Sequence, residues 1–125
     1  MEVIIIGVGG FLGAILRYGL HLQLTQVQSI FSQYPTALIN LTGSFLVGII
    51  LSFGRQRFGE EWYHFLVTGL LGGFTTYSAF SGETILLLKN AQYQLALLYC
   101  SLTFFGGIFM ALLGFILFKF LGTHP

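Results

Sequence analysis

The sequence predicts an all-α membrane protein with four transmembrane helices, the third of them broken at mid-membrane. Three observations carry this. Of 125 residues, 55% are hydrophobic and 7% are charged, against roughly 25% charged in a soluble globular domain. The chain divides into four apolar stretches, each long enough to cross about 30 Å of hydrocarbon, which takes about 20 helical residues. The third stretch also contains GGFTTYSAFSGE at 72–83, which sets glycines, hydroxyls and a carboxylate where lipid would lie.

The spans are read at 3–24, 36–54, 62–88 and 94–121, so that residues 1–125 form a single integral membrane domain. Met1-Glu2 supplies no basic leader before the first apolar stretch, which is therefore expected to remain in the mature chain. Within that span Gly7, Gly10, Ala14 and Arg17 recur at helical spacing, with Gly9 and Gly13 beside them. Small residues let helix backbones approach closely in lipid. Arg17 has two readings, snorkelling to the interface or facing protein as a functional charge.

The first loop carries Gln26, Gln28, Ser29, Ser32, Gln33 and Pro35. In the second span Thr36, Asn40, Ser44 and Gly48 repeat every four residues. An amide at that depth is costly unless it meets protein or water, which marks Asn40 as a candidate functional group. The second loop reads GRQRFGEE at 54–61, and Trp62 and Tyr63 then fall at a span edge, where amphipathic rings favour the headgroup region.

The third span holds the interruption. Gly72-Gly73 followed by Thr75, Thr76 and Ser78 continues a lipid-facing helix poorly, since glycine is worse than alanine by about 1 kcal/mol and hydroxyls compete for backbone partners. Two outcomes are open: a glycine kink, or a break whose freed carbonyls suit a small hard cation such as sodium while Thr and Ser cap the second half. Tyr77, Phe80 and Glu83 follow at intervals of three with Ser81 adjoining, one face both aromatic and polar. Ring edges carry positive charge and suit an anion, although two aromatics on a membrane-helix face are more often packing than a pore. After Lys89-Asn90-Ala91-Gln92 and the edge residue Tyr93, the fourth span repeats Tyr99, Thr103 and Gly107.

Several functions are excluded or disfavoured. Net charge is +1 with no basic run, so no nucleic-acid partner is expected. The lone Cys100 and the scattered His21, His64 and His124 have no metal-ligand spacing, and no nucleophile or base cluster suggests an enzyme. Basic residues barely fix orientation. Arg55, Arg57 and Lys119 would share one side, against Lys89 and, if it snorkels, Arg17 on the other. A singly oriented chain and one that inserts both ways are left level.

The segments GGFLGAILRY (9–18), NLTGSFLVG (40–48) and GLLGGFTTYSAFSGE (69–83) resemble, in order and spacing, the three signature segments of the fluoride channel family known as Fluc or CrcB. The resemblance covers the whole chain, and its third segment is the specific one. It implies an antiparallel, dual-topology dimer in the cell (plasma) membrane, the bacterial inner membrane, exporting fluoride passively through two pores. It also implies a central structural sodium ion (Na+) held by the backbone carbonyls of Gly72 and Thr75 from each subunit. By motif match, Arg17, Asn40, Tyr77, Phe80, Ser81, Glu83, Tyr99 and Thr103 would line the fluoride pathway. The chain reads TTYSAF where the family pattern is TTFSTF, so Tyr77 adds a hydroxyl and Ala79 lacks one.

Partners implied are the fluoride ion, the lipid bilayer and a second copy of the chain, with a paralogue heterodimer as the other possibility. A small multidrug-resistance transporter is the alternative function. It requires a carboxylate within the first span, where none is present beyond the terminal Glu2. A noncatalytic membrane-assembly subunit would use the small-residue faces but leave Asn40 without a role.

Overall fold

The computed structural model describes residues 1–27 and 34–121. The loop residues Gln28, Ser29, Ser32 and Gln33, together with His124, lie outside them. The described chain is helical: α1 Glu2–Gln26, α2 Pro35–Phe53, α3 Arg55–Phe58, α4 Glu60–Tyr63, a π-helical stretch His64–Leu71, α5 Gly72–Phe74, α6 Tyr77–Lys89 and α7 Tyr93–Leu121. Among the described residues, α1, α2 and α7 are long and apolar enough to cross a membrane. Pro35 opens α2 in the first turn, where its missing N–H would have had no partner anyway.

Between α2 and the next long rod the chain turns at Gly54 and Gly59, whose φ values of 72° and 76° belong to the left-handed region. The intervening basic residues lie on aromatic faces: the Arg55 guanidinium is 4.7 Å from the Tyr63 ring centre and that of Arg57 is 5.2 Å from Phe53. From Glu60 to Phe74 the helix runs on without interruption, as the right-handed dihedrals of His64, Leu71 and Gly72 record.

Two glycine seams lock the helices in pairs. Along α1 the 64–74 rod is met by Gly9 and Gly13, the buried residues of that helix, and by the backbone of Gly10. A Cβ on Gly9 would lie 2.7 Å from the Phe65 carbonyl oxygen, and one on Gly13 would collide with the carbonyl of Leu70. The rod answers with Gly69 against the Ile6 carbonyl and Gly73 against that of Gly10. Of the sequence pattern Gly7, Gly10, Ala14 and Arg17, Gly10 and Arg17 both meet Gly73, Gly9 and Gly13 beside it make the tightest approaches, and Gly7 meets nothing. In the second pair Gly48 of α2 abuts the Ala111 carbonyl of α7, and Gly114 abuts that of Phe45. With lipid as solvent, such close contact supplies the dispersion energy that holds helices together.

The second arm, α6, is fixed to α7 by a turn and by a small core. Ala91 N–H donates to Leu88 O and Gln92 N–H to Leu87 O, both at 3.0 Å, closing the end of α6 with Ala91 at φ 56°. Beside this turn Ala37, Leu87, Ala96 and Tyr99 are buried together, flanked by Tyr34, Phe80 and Leu95. Much of α1 and α7 faces outward with large apolar side chains, including Phe11, Leu97, Phe105 and Phe109. A continuous apolar exterior of this kind belongs against lipid or another chain.

Candidate functional site

Two residues separate α5 from α6, and both are extended: Thr75 at φ −82°, ψ 155° and Thr76 at φ −148°, ψ 115°. β-Branched threonine accepts such dihedrals readily. The backbone groups displaced from the helical ladder all need partners, and their partners come from distant helices. Asn40 clamps Thr76 at two points, its Oδ1 accepting from Thr76 N–H at 2.8 Å and its Nδ2 donating to Thr76 O at 3.0 Å. Arg17 Nε donates to Gly73 O at 3.2 Å. Arg17 therefore turns into the protein rather than toward the interface. Thr76 Oγ1 caps α6 by accepting from Ala79 N–H at 3.3 Å and meets Ser78 Oγ at 3.2 Å. Thr75 Oγ1 donates back to Leu71 O at 2.9 Å.

These diversions leave a pattern among the carbonyls. In an unbroken helix Gly72 O would accept from Thr76 N–H and Thr75 O from Ala79 N–H. Thr76 N–H instead serves Asn40, and Ala79 N–H serves the Thr76 hydroxyl. Gly72 and Thr75 line an open groove of about 320 Å³ with Asn40, Ser44, Thr76 and Tyr77. Among the described residues no group of three His, Cys, Asp or Glu side chains is placed to hold a metal. The residues lining the groove are uncharged, so a cation there would depend on neutral oxygens such as backbone carbonyls, which are hard ligands.

On another side of the interruption lies a cavity of about 210 Å³, lined among others by Arg17, His21, Thr36, Thr76, Ala79 and Glu83. Glu83 also borders a cavity with Tyr34, Leu86 and Asn90, so its carboxylate stands between two spaces. Each of its oxygens has a donor: Thr36 Oγ1 reaches Oε1 at 2.5 Å, and the Tyr99 hydroxyl bonds Oε2. Both donors come from other helices, so Glu83 ties α6 to α2 and α7. Above it runs a ladder of rings. Tyr99 is 5.3 Å from Tyr34 and 5.4 Å from Phe80, and Phe80 is 5.5 Å from Tyr77, all tilted.

The structure thus gathers Arg17, Asn40, Tyr77, Phe80, Glu83 and Tyr99 around the interruption. Ser81 touches this set only through the backbone of its own helix, its hydroxyl donating to Tyr77 O at 3.0 Å. Thr103 Oγ1 is buried and has no hydrogen-bond partner among the described residues. Thr36, 2% exposed, and Tyr34 are members that sequence reasoning did not single out. For Thr36 a signal existed, since it lies one turn before Asn40 in the four-residue repeat of α2.

Residues 4–115 match the family model described as CrcB-like protein, Camphor Resistance (CrcB). The chain is 38% identical over 117 residues to a Fluoride-specific ion channel FluC 1 of Listeria innocua, covering 94% of this chain and 97% of that protein. It is 42% identical over 117 residues to a Fluoride-specific ion channel FluC of Oceanobacillus iheyensis, covering 90% and 88%. A Fluoride-specific ion channel FluC 1 of Bacillus cereus is 39% identical over 120 residues, covering 94% and 88%.

Proposed function

The chain belongs to the CrcB family, and from that premise we propose that it is a fluoride-selective passive channel of the cell membrane. The carrying observation is the match over nearly the full length to proteins named for this activity. It is a multi-pass membrane protein and not an enzyme. A multidrug transporter would need an acid within α1, whose one carboxylate is Glu2 in its first turn.

The chemistry required is compensation. A small anion entering an apolar passage loses a large hydration energy, and fixed donors must replace the water. The Arg17 guanidinium in the cavity wall supplies positive charge, and Thr36 and Tyr99 supply hydroxyls. Both of those hydroxyls bond Glu83, so an anion that takes them must displace the carboxylate. The edges of Phe80 and Tyr77 continue the electropositive lining. Thr103, with a buried hydroxyl lacking a partner, is a further donor on α7. Ser81 joins the path by turning its hydroxyl away from the helix backbone.

The working form is an antiparallel homodimer with two pores and the third span broken at mid-membrane. Support comes from the open groove: Asn40, Ser44, Thr75, Thr76 and the 80%-exposed Tyr77 would meet lipid in a lone chain. A second copy seated there encloses them. The groove's donor set fits a sodium ion, since the carbonyls of Gly72 and Thr75 have both lost their usual helical amides. When bound, sodium supplies a fixed positive charge in a low-dielectric interior.

The test is to reconstitute the purified chain in liposomes and follow halide release with ion-selective electrodes. Rapid fluoride efflux with chloride retained is expected. Equal release of both, or of neither, overturns the proposal.

A further inference from the structure

We propose that Arg17 is a positioning residue for the cation groove as well as a charge beside the anion cavity. This rests on the channel and sodium reading above and deepens it. Arg17 projects from the α1 face that carries Gly13, one turn away, and Gly10, whose carbonyl abuts Gly73. Its Nε donates to Gly73 O across 56 residues of sequence. That carbonyl lies between the two assigned to the cation, those of Gly72 and Thr75.

An unbroken helix would give Gly73 O the amide of Tyr77, but Tyr77 belongs to the first turn of α6, beyond the extended pair. Without Arg17, Gly73 O has two routes to a partner. The chain can re-close toward α6 and draw in the extended residues, or the carbonyl can turn to the groove and compete for the ion. Either route disturbs the neighbouring carbonyls. Arg17 removes both by holding Gly73 O on the α1 side while Asn40 holds Thr76 on the α2 side. The two side chains thus replace the helical bonds that the interruption lacks, and leave Gly72 and Thr75 to the groove. The guanidinium's other N–H groups remain for the cavity shared with Glu83.

An anion-attracting role alone depends on charge; the positioning role depends on the directed Nε–H bond to one carbonyl, which the flexible point charge of lysine does not reproduce. The experiment measures the sodium concentration that half-saturates dimer thermal stability in detergent, with N-methyl-D-glucamine as the replacing cation, for wild type, Arg17→Lys and Arg17→Gln. Both variants should raise the midpoint by about tenfold or more, the effect expected of a lost charge-assisted hydrogen bond. A variant whose dimer is lost at low sodium and recovered at high sodium also supports the proposal. A wild-type midpoint in Arg17→Gln, full restoration of the midpoint by lysine, or dimer loss in both variants that sodium fails to rescue overturns it. Fluoride efflux on the same samples separates the two readings. Wild type that needs sodium yet passes no fluoride defeats the channel and leaves the positioning role standing. Wild type that conducts without needing sodium defeats the positioning role alone.

Discussion

Both functional groups of the Asn40 amide engage a single residue, Thr76, and this sets what substitutions there will do. Asn40→Asp keeps the acceptor but removes the donor, and it adds negative charge near an anion path. Fluoride efflux should fall on the order of tenfold or more, the scale of one unsatisfied buried group. Unchanged efflux from an assembled dimer would free Asn40 of this role. Phe80 is the middle rung between Tyr77 and Tyr99. Phe80→Ile keeps apolar bulk but ends both ring contacts, each worth about 0.5–1.5 kcal/mol, so efflux should slow by roughly tenfold. Near-normal rates would reduce the ring to packing. Glu83 illustrates the limit of reading residues singly. Its position on an aromatic and polar face was visible from spacing, but its donors Thr36 and Tyr99 lie 47 and 16 residues away. Sequence does not pair residues that only folding brings together.

At the scale of elements, α1, α2 and α7 were legible because burial in lipid demands long apolar runs, and composition records that directly. Seams were harder. Helical spacing narrows the close-packing face of α1 to a few glycines, but that Gly9, Gly10 and Gly13 are used and Gly7 is not follows from where the 64–74 rod lies. The π-helical turns at His64–Leu71 were not legible, since HFLVTGLL reads as an apolar run whose Val67, Thr68 and Gly69 weaken a helix without marking any particular helix type. The α6–α7 turn offers a test of local energetics. Ala91 occupies a left-handed position that disfavours any residue with a Cβ by about 1–2 kcal/mol. Ala91→Gly should therefore stabilise the protein by up to about 1 kcal/mol after allowing for glycine's greater unfolded freedom. A higher unfolding temperature in detergent is the expected reading, and a lower one would show that the alanine methyl contributes more packing than the strain removes.

For the molecule as a whole, the inward turn of Arg17 changes the charge count that governs insertion. With its Nε on Gly73 O it does not serve the first loop. If the chain crosses four times, Arg55, Arg57 and Lys119 then stand against Lys89 alone, still a difference of only two charges. If two opposite copies form the channel, a C-terminal tag on cell-derived vesicles should be accessible from both faces in about equal numbers. A tag found on one face only would rule out an antiparallel pair made from this chain.

The clamp on Thr76 has a further consequence, in the exchange of amide protons with solvent deuterium. An interruption in a helix is ordinarily where exchange is fastest, because amides there have left the ladder. Here the Thr76 amide is held by Asn40 Oδ1 at 2.8 Å, and that of Ala79 by the Thr76 hydroxyl. The interruption should accordingly exchange as slowly as the helices around it, since its opening requires α2 and α6 to part. Replacing Asn40 by alanine should turn the same few residues into the fastest-exchanging point of the membrane-embedded chain. An element that looks like a defect in the backbone trace would then behave, on the timescale of minutes to hours, as one of the least yielding parts of the protein.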